Sequence, residues 1–214
     1  MTHPVWPFFD LQVTTPRIEL RGLDDTLALE LVQLAANGVH DSAEMPFLFP
    51  WTDVPSPQLE RNALQFHWRN RAEISPTRWS ISLAALVDGA VVGTTALDAT
   101  DFPTLRQFET GSWLGRAHQG RGLGTEMRLA TLHLGFDGFG AQMATTSAWE
   151  DNHASLGVTG KLGYTPTGQR RAVSRDQPRR LRMFELGRDE FAVRLRREDI
   201  VLSGVDACLP LLGL

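Results

Sequence analysis

The sequence contains little cysteine, no long apolar run and no excess of basic charge. Cys208 is the only cysteine among 214 residues, so an internal disulfide cannot form, which suits a reducing compartment and predicts a cytoplasmic protein. The chain has no run of about 18 apolar residues, and its first residues lack a basic region followed by an apolar core. Neither a membrane span nor secretion is predicted. The net charge of −4 argues against a nucleic-acid surface, which needs clustered excess Lys and Arg.

Metal ligands are also sparse. The six histidines include no His-x-x-x-His pair and have no cysteine partner, so a metal site is disfavoured. The length and the ordinary apolar and charged fractions suit one globular domain, residues 1–214, with a buried core.

The most informative segment is glycine-rich. Residues 119–126 read Gln-Gly-Arg-Gly-Leu-Gly-Thr-Glu, follow a strand-like run at 109–114, and begin a helical pattern. Closely spaced glycines allow an anion to approach the backbone, and the free N–H groups of a helix's first turn point at it. The segment therefore predicts a phosphate-binding loop. It fits neither known nucleotide loop, because Thr125 stands where a dinucleotide fingerprint needs its third glycine and no Gly-Lys-Ser/Thr follows.

Read as Gln-x-x-Gly-x-Gly, this segment resembles the coenzyme A pyrophosphate loop of the GCN5-related N-acetyltransferase (GNAT) superfamily. Residues 149–155, with Asn152 and Ser155, and the turn Lys161-Leu162-Gly163-Tyr164 resemble the family's Asn-x-x-Ser helix and its closing turn. Residues 15–21 resemble the first strand of the branch that contains the ribosomal-protein N-terminal alanine/serine acetyltransferases. The resemblance spans about residues 14 to 190, which leaves an N-terminal arm (1–14) and a C-terminal extension (191–214).

The resemblance implies an α+β single-domain fold with a central mixed, mostly antiparallel, splayed β-sheet flanked by helices. Periodicity and turn residues predict individual elements. These are strands near 17–21, 109–114, 142–149, 168–173 and 182–186, a hairpin over 79–99 around Asp88-Gly89, and helices over 27–37, 57–73, 123–134 and 152–162.

The resemblance also assigns the residues that hold acetyl-CoA or another acyl-CoA such as succinyl-CoA. The glycine loop binds pyrophosphate, the free edge of the preceding strand pairs with the pantetheine amides, and an N–H near Leu114 polarises the thioester carbonyl. The assigned residues are Trp113, Leu114, Gln119, Gly120, Arg121, Gly122, Leu123, Gly124, Thr125, Asn152 and Ser155.

Two catalytic residues follow from the resemblance and from position. Ser155 matches the position that protonates the departing thiolate in ribosomal-protein acetyltransferase-like members. Many other members use a tyrosine at the position of Thr159; its absence here favours Ser155 but leaves Thr159 or water as alternatives. Glu109, on the strand leading into the site, is the first choice for the general base, and Glu150 is the second.

The predicted function is transfer of an acyl group from coenzyme A to a primary amine in a ternary complex. The acceptor is either a protein N-terminus or a small molecule enclosed by an aromatic lid of Phe47, Phe49 and Trp51. A basic cluster is either a solvated hairpin face or a rim that attracts an acidic acyl group such as succinyl. Its members are Arg170, Arg171, Arg175, Arg179, Arg180 and Arg182.

Two alternatives stay open at this point. The chain is an enzyme or a non-catalytic acyl-CoA-binding sensor or subunit, because the glycine loop is intact whereas the family's tyrosine is absent. A homodimer is predicted through C-terminal leucines, or these leucines pack on their own domain. They are Leu209, Leu211, Leu212 and Leu214.

Overall fold

A single nine-stranded sheet organises the computed structural model, which describes residues 3–214. Its strand order is β7-β8-β6-β5-β4-β3-β2-β1-β9. The strands are β1 (Gln12–Thr14), β2 (Glu19–Gly22), β3 (Arg78–Val87), β4 (Ala90–Thr100), β5 (Gln107–Leu114), β6 (Met143–Trp149), β7 (Thr165–Ser174), β8 (Gln177–Gly187) and β9 (Val201–Ser203).

Six α-helices flank this sheet. They are α1 (Asp25–Ala36), α2 (Gln58–Ala72), α3 (Phe102–Leu105), α4 (Leu123–His133), α5 (His153–Lys161) and α6 (Arg188–Arg194). A π-helical turn, Leu134–Gly138, continues α4. Short 3-10 helices lie at Pro7–Asp10, Arg116–His118 and Leu209–Leu212. Within residues 3–214, no helix combines the length and the apolar character needed to cross a bilayer.

Local signals explain several of these elements. Asp24 caps α1 by accepting a hydrogen bond from the Leu27 N–H at 2.8 Å, which satisfies one of the free donors of the first turn. The β3–β4 turn places Asp88 at φ 50° and Gly89 at φ 79°, and two successive left-handed residues give the tight hairpin that this dipeptide favours.

The sheet is splayed between β5 and β6. These two strands form its only parallel pair, and they pair only from Gln107–Met143 to Glu109–Thr145. Beyond that point β5 continues beside β4 up to Leu114, and β6 continues beside β8 up to Trp149. The facing edges of β5 and β6 therefore separate into a V-shaped cleft with free backbone groups. The predicted mixed, mostly antiparallel, splayed sheet is confirmed.

The two faces of the sheet carry different helices. Residues of β3 alternate between them: Leu83 and Ala85 join the large core cluster that includes Met127 of α4. Ala84 and Leu86 pack instead with Leu31 of α1. Helix α4 thus lies on one face, and α1 lies on the opposite face.

Two strands have no counterpart in the sequence prediction. β1 lies inside the predicted N-terminal arm, β9 lies inside the C-terminal extension, and they pair with each other from Gln12–Ser203 to Thr14–Val201. A three-residue strand is too short to show a clear alternation of apolar and polar residues. Both predicted extensions therefore contribute to the sheet, and residues 1–2 of the arm lie outside the described residues.

Candidate active site

The glycine loop has the backbone conformation that only glycine adopts easily. Gly120 and Gly122 have φ values of 74° and 79°, in the left-handed region that penalises a side chain. Gly122 is the N-cap of α4. The N–H groups of residues 120–125 donate to no acceptor among residues 3–214. This arrangement, together with the positive end of the α4 dipole, is suited to binding an anion.

The Gln119 side chain anchors the glycine loop to neighbouring elements. Its side-chain amide donates to the carbonyls of Val39 at 2.7 Å and Leu114 at 2.8 Å. The amide joins the loop to the end of β5 and to the segment after α1. Gln119 therefore supports the loop, while its neighbours supply the free N–H groups.

An ion pair fixes the other side of the loop. Arg17 lies 2.5 Å from the Glu126 carboxylate and donates to the Arg121 carbonyl at 3.2 Å. Thr15 donates to Glu126 at 2.6 Å. Burial raises the pKa of Glu126, but these hydrogen bonds outweigh burial and leave that pKa below its usual value. The Arg121 side chain is exposed and points to no carboxylate within 4 Å among the described residues.

Three elements of the predicted site meet at Gly124. A Cβ placed there would lie 3.7 Å from Leu114 Cδ1 on β5 and 3.8 Å from Val158 Cγ2 on α5. The first turn of α4, the free edge of β5 and the Asn152 helix therefore converge. This convergence forms the open end of the V-shaped cleft.

Asn152 and Ser155 lie at the start of α5. The Asn152 Oδ1 accepts a hydrogen bond from the Ser155 N–H at 3.0 Å, so Asn152 is the N-cap. Its Nδ2 donates to the Pro46 carbonyl at 3.3 Å. The Ser155 hydroxyl is half-buried and bonds to none of residues 3–214. Thr159 is only 1% exposed and its hydroxyl also has no partner. Of the two candidate acids, only Ser155 has a side chain that solvent reaches.

Glu109 lies at the closed end of the V. It is the last residue of β5 that pairs with β6, opposite Thr145, and its exposed carboxylate accepts from Ser147 Oγ at 3.2 Å. The alternative base, Glu150, lies 3.8 Å from Arg180. Glu150 therefore takes part in an ion pair on the surface of the β7–β8 hairpin.

The segment between α1 and α2 forms an aromatic wall beside the cleft. Phe47 and Trp51 have ring centroids 5.1 Å apart, and Trp51 lies 5.8 Å from Trp113 of β5. Trp149 of β6 donates from its Nε1 to the Phe47 carbonyl at 3.0 Å. Phe49 is 74% exposed and belongs to none of the buried hydrophobic clusters among the described residues. The predicted lid residues thus divide: Phe47 and Trp51 contact the cleft strands, whereas Phe49 does not.

Two arginines of the β7–β8 hairpin hold this wall. Arg175 forms a two-pronged ion pair with Asp53 at 2.8 and 2.6 Å. Arg179 lies 2.5 Å from Asp151, donates to the Met45 carbonyl at 2.7 Å, and has its guanidinium 4.6 Å from the Trp149 ring centroid. These two cations are neutralised and structural, which weakens the interpretation of the whole basic cluster as a rim for acidic groups.

We expect Arg179→Ala to loosen the segment 42–54 while leaving the sheet folded. The change removes an ion pair, two further hydrogen bonds and a cation–π contact. A charged hydrogen bond alone contributes about 1.5–3 kcal/mol. Hydrogen exchange of residues 42–54 should accelerate at least about tenfold. Arg171→Ala is the control, because Arg171 is exposed on the same hairpin and has no carboxylate within 4 Å among residues 3–214. Equal exchange rates of residues 42–54 in the two variants would contradict this role of Arg179.

Sequence reasoning missed one charged residue, Arg128 of α4. It is only 4% exposed. Its Nη1 donates to Thr146 Oγ1 of β6 and its Nη2 donates to Ser112 Oγ of β5, both at 3.1 Å. Arg128 is the only arginine of α4 and stands between Met127 and Leu129, but adjacent residues lie on different faces of a helix, so no local signal in the sequence marks its burial. No group of three potential metal-ligating side chains occurs among the residues that the structure describes.

A sheet splayed beside a glycine-rich helix N-terminus, with free strand edges and free N–H groups on one side of the cleft, defines the fold of a coenzyme A-dependent N-acetyltransferase. A family model described as "Acetyltransferase (GNAT) domain" matches residues 17–165. The chain therefore belongs to the GNAT family of acetyltransferases.

Solved structures show the same fold. A GCN5-related N-acetyltransferase from Brucella melitensis is 20% identical, with 85% of this chain and 80% of that chain covered and a TM-score of 0.66. A GNAT-family acetyltransferase from Bacillus anthracis is 15% identical, with 83% and 99% covered and a TM-score of 0.66. The ribosomal L7/L12 alpha-N-protein acetyltransferase RimL, in complex with coenzyme A, is 15% identical, with 81% and 95% covered and a TM-score of 0.62.

Proposed function

We propose that this protein transfers an acyl group, acetyl or a larger one such as succinyl, from coenzyme A to a primary amine by direct transfer in a ternary complex. The observation that carries the proposal is the convergence at Gly124 of the glycine loop, the free β5 edge and the Asn152 helix. One cleft thereby offers an anion site for pyrophosphate and free backbone groups for pantetheine amides.

The donor is held by groups that lack protein partners. The N–H groups of residues 120–124 bind the pyrophosphate, and each charge-assisted bond contributes about 1.5–3 kcal/mol. The pantetheine amides pair with the β5 edge that faces β6, at the end that carries Trp113 and Leu114. The Leu114 carbonyl itself already accepts from Gln119 Nε2 at 2.8 Å. A backbone N–H near Leu114 donates to the thioester oxygen as negative charge develops there, which lowers the barrier by a few kcal/mol. Asn152 caps the start of α5 and joins it to the Pro46 carbonyl.

The chemical step needs one proton acceptor and one proton donor. The amine nitrogen attacks the thioester carbonyl carbon, so a C–N bond forms and the C–S bond breaks. Through ordered water, Glu109 accepts the proton that the amine loses, because five residues of β5, about 17 Å, separate it from Leu114. Ser155 supplies a proton to the departing thiolate. Ser155 regains its proton from solvent, and the products are an amide and free coenzyme A.

The acceptor is a protein N-terminus or a small amine. The structural likeness to RimL, named as an alpha-N-protein acetyltransferase, supports the first, and the aromatic wall of Phe47 and Trp51 supports the second. We place this reaction in the cytoplasm, in line with the reduced state expected of Cys208.

We retain a homodimer as part of the proposal, but its contacts need revision. Leu212 is buried, and Leu209 and Leu214 pack against the main core. Leu211 is 38% exposed and is the most exposed of the four predicted leucines. Sedimentation equilibrium measures the oligomeric state directly.

The alternative is an acyl-CoA-binding sensor without catalysis. An initial-rate assay that measures free coenzyme A, with and without a panel of N-terminal peptides and small amines, separates the two. Release of coenzyme A that depends on an amine supports the transferase. Binding of acyl-CoA with no release for any amine supports the sensor.

Ser155→Ala should lower kcat by about 10- to 100-fold and leave acyl-CoA affinity unchanged, because a general acid contributes at least that much and water replaces part of its role. Thr159→Val is the matched control, since the Thr159 hydroxyl is buried and has no partner. Full activity of Ser155→Ala, with activity lost in Thr159→Val, would transfer the acid role to Thr159.

A further inference from the structure

The least explained charge in the described part of the molecule is the guanidinium of Arg128. It is buried beneath the V-shaped cleft, and no carboxylate lies within 4 Å of it among residues 3–214. Two of its five N–H groups donate to Ser112 and Thr146, and Nε has no partner. An arginine keeps its charge under all ordinary conditions. Buried charges are normally paired with an opposite charge, because desolvation is costly.

The position of Arg128 matters as much as its charge. Ser112 lies on the free part of β5, and Thr146 is the first residue of β6 beyond the paired segment. The guanidinium therefore bridges the two arms of the V just beyond its closed end. Ser112 is half-buried, so the Arg128 guanidinium lies one hydrogen bond away from a side chain that solvent reaches. It is on the α4 face, the same side as the glycine loop.

From these observations we propose that Arg128 selects acyl-CoA donors whose acyl group ends in a carboxylate, with succinyl as the model chain length. The proposal rests on the proposed acyltransferase function and names its donor class. The Arg128 guanidinium forms a charge-assisted hydrogen-bonded pair with the terminal carboxylate, so each charge balances the other. The transfer chemistry is unchanged: the C–N bond forms, the C–S bond breaks, and the terminal carboxylate is carried into the amide product.

Simple dimensions agree with this assignment. Three C–C bonds of about 1.5 Å place the terminal carboxylate carbon of a succinyl group about 4 Å beyond the thioester carbon, and a charge-assisted bond adds about 2.8 Å. The total reach of about 7 Å equals two residues of extended strand. Two residues separate Leu114, whose N–H holds the thioester oxygen in the proposed function, from Ser112, the β5 contact of Arg128.

The hairpin arginines are a poorer source of such selectivity. Arg175 and Arg179 are already paired with Asp53 and Asp151, and Arg170 and Arg171 are exposed to water. Water and salt strongly screen the attraction between an exposed arginine and a carboxylate. The attraction between a buried guanidinium and a carboxylate is screened much less. The donor preference should therefore depend on Arg128 and not on the hairpin.

The test compares succinyl-CoA with butyryl-CoA, which has the same chain length without the carboxylate, and with acetyl-CoA. Dissociation constants are measured by calorimetry on the full-length protein and on two variants, Arg128→Met and Arg170→Met. Wild type should bind succinyl-CoA about 10- to 100-fold tighter than butyryl-CoA, the range expected for one hydrogen-bonded charge pair. Arg128→Met should reduce this ratio to about one and leave acetyl-CoA affinity within about threefold, while Arg170→Met should keep the wild-type ratio.

Several results would overturn the proposal. One is no preference of wild type for succinyl-CoA over butyryl-CoA, and another is a preference that survives in Arg128→Met or disappears in Arg170→Met. Methionine is similar in length to arginine and removes a buried charge that has no carboxylate partner within 4 Å among residues 3–214, so we expect Arg128→Met to fold. If Arg128→Met does not fold, the test uses the wild-type ratio and the variant Arg128→Lys. Lysine keeps the charge, so Arg128→Lys should keep part of the preference for succinyl-CoA. Acetyl-CoA binding without charge preference contradicts only this inference, whereas failure of every CoA ester to bind contradicts the proposed function as well.

Discussion

Gly122→Glu should abolish detectable acyl-CoA binding. Gly122 has φ 79°, so any side chain there adds about 1–2 kcal/mol of backbone strain, and a carboxylate at the N-terminus of α4 repels the pyrophosphate. Loss of two or three N–H contacts of about 1.5–3 kcal/mol each corresponds to at least about a 100-fold rise in Kd. Calorimetric titration with acetyl-CoA measures this loss directly.

Gly89 offers a matched control for the backbone strain. It also has φ 79°, and a Cβ there meets no atom within 4 Å, but it lies in the β3–β4 turn. Gly89→Glu should therefore show a similar loss of thermal stability and a wild-type Kd for acetyl-CoA. Retained binding in Gly122→Glu, in folded protein, would refute the assignment of the glycine loop to the pyrophosphate.

Glu109→Gln should lower kcat by about 10²- to 10⁴-fold without changing the Kd of the donor, because a general base contributes that much to a proton transfer. Glutamine keeps the size of the side chain and its ability to accept from Ser147 Oγ, so the closed end of the V should stay intact. Steady-state kinetics with a saturating amine, combined with calorimetry for the donor, separates the two quantities.

Glu150→Gln is the control for this prediction. Glu150 is half-exposed beside Arg180, and its replacement should leave kcat within about threefold of wild type, since surface ion pairs contribute at most about 1 kcal/mol. Wild-type kcat in Glu109→Gln, with a large loss in Glu150→Gln, would exchange the two roles.

The sequence was sufficient for features that depend on local chemistry. The glycine spacing of residues 120–124, the Asp88-Gly89 turn and the caps at Asp24 and Asn152 each reflect a local backbone requirement. The splayed sheet was predicted from the family resemblance.

Features that depend on distant partners were not predictable. β1 and β9 exist because segments nearly 190 residues apart pair, from Gln12–Ser203 to Thr14–Val201. Arg175 and Arg179 have structural roles only because acceptors from other parts of the chain bind them. These acceptors are Asp53, Asp151 and the Met45 carbonyl.

Arg128 shows the same limit at the candidate site. Its position in the sequence places it in an amphipathic helix, where an arginine normally reaches water. Only the packing of α4 beneath both arms of the V makes it a buried cation. The assigned site residues stay predictions. Among the described residues, the Ser155 hydroxyl and the N–H groups of residues 120–125 have no protein partner, so these groups are the ones available to a ligand.

Thermal stabilisation by free, acetyl-, malonyl- and succinyl-coenzyme A tests most directly whether the V-shaped cleft is an acyl-CoA site. A ligand present at 100 times its Kd should stabilise the folded protein by about 2.7 kcal/mol, and Gly122→Glu should remove that stabilisation while Gly89→Glu keeps it. Absence of any shift with all four ligands, in folded protein free of carried-over coenzyme A, would contradict the assignment of this cleft.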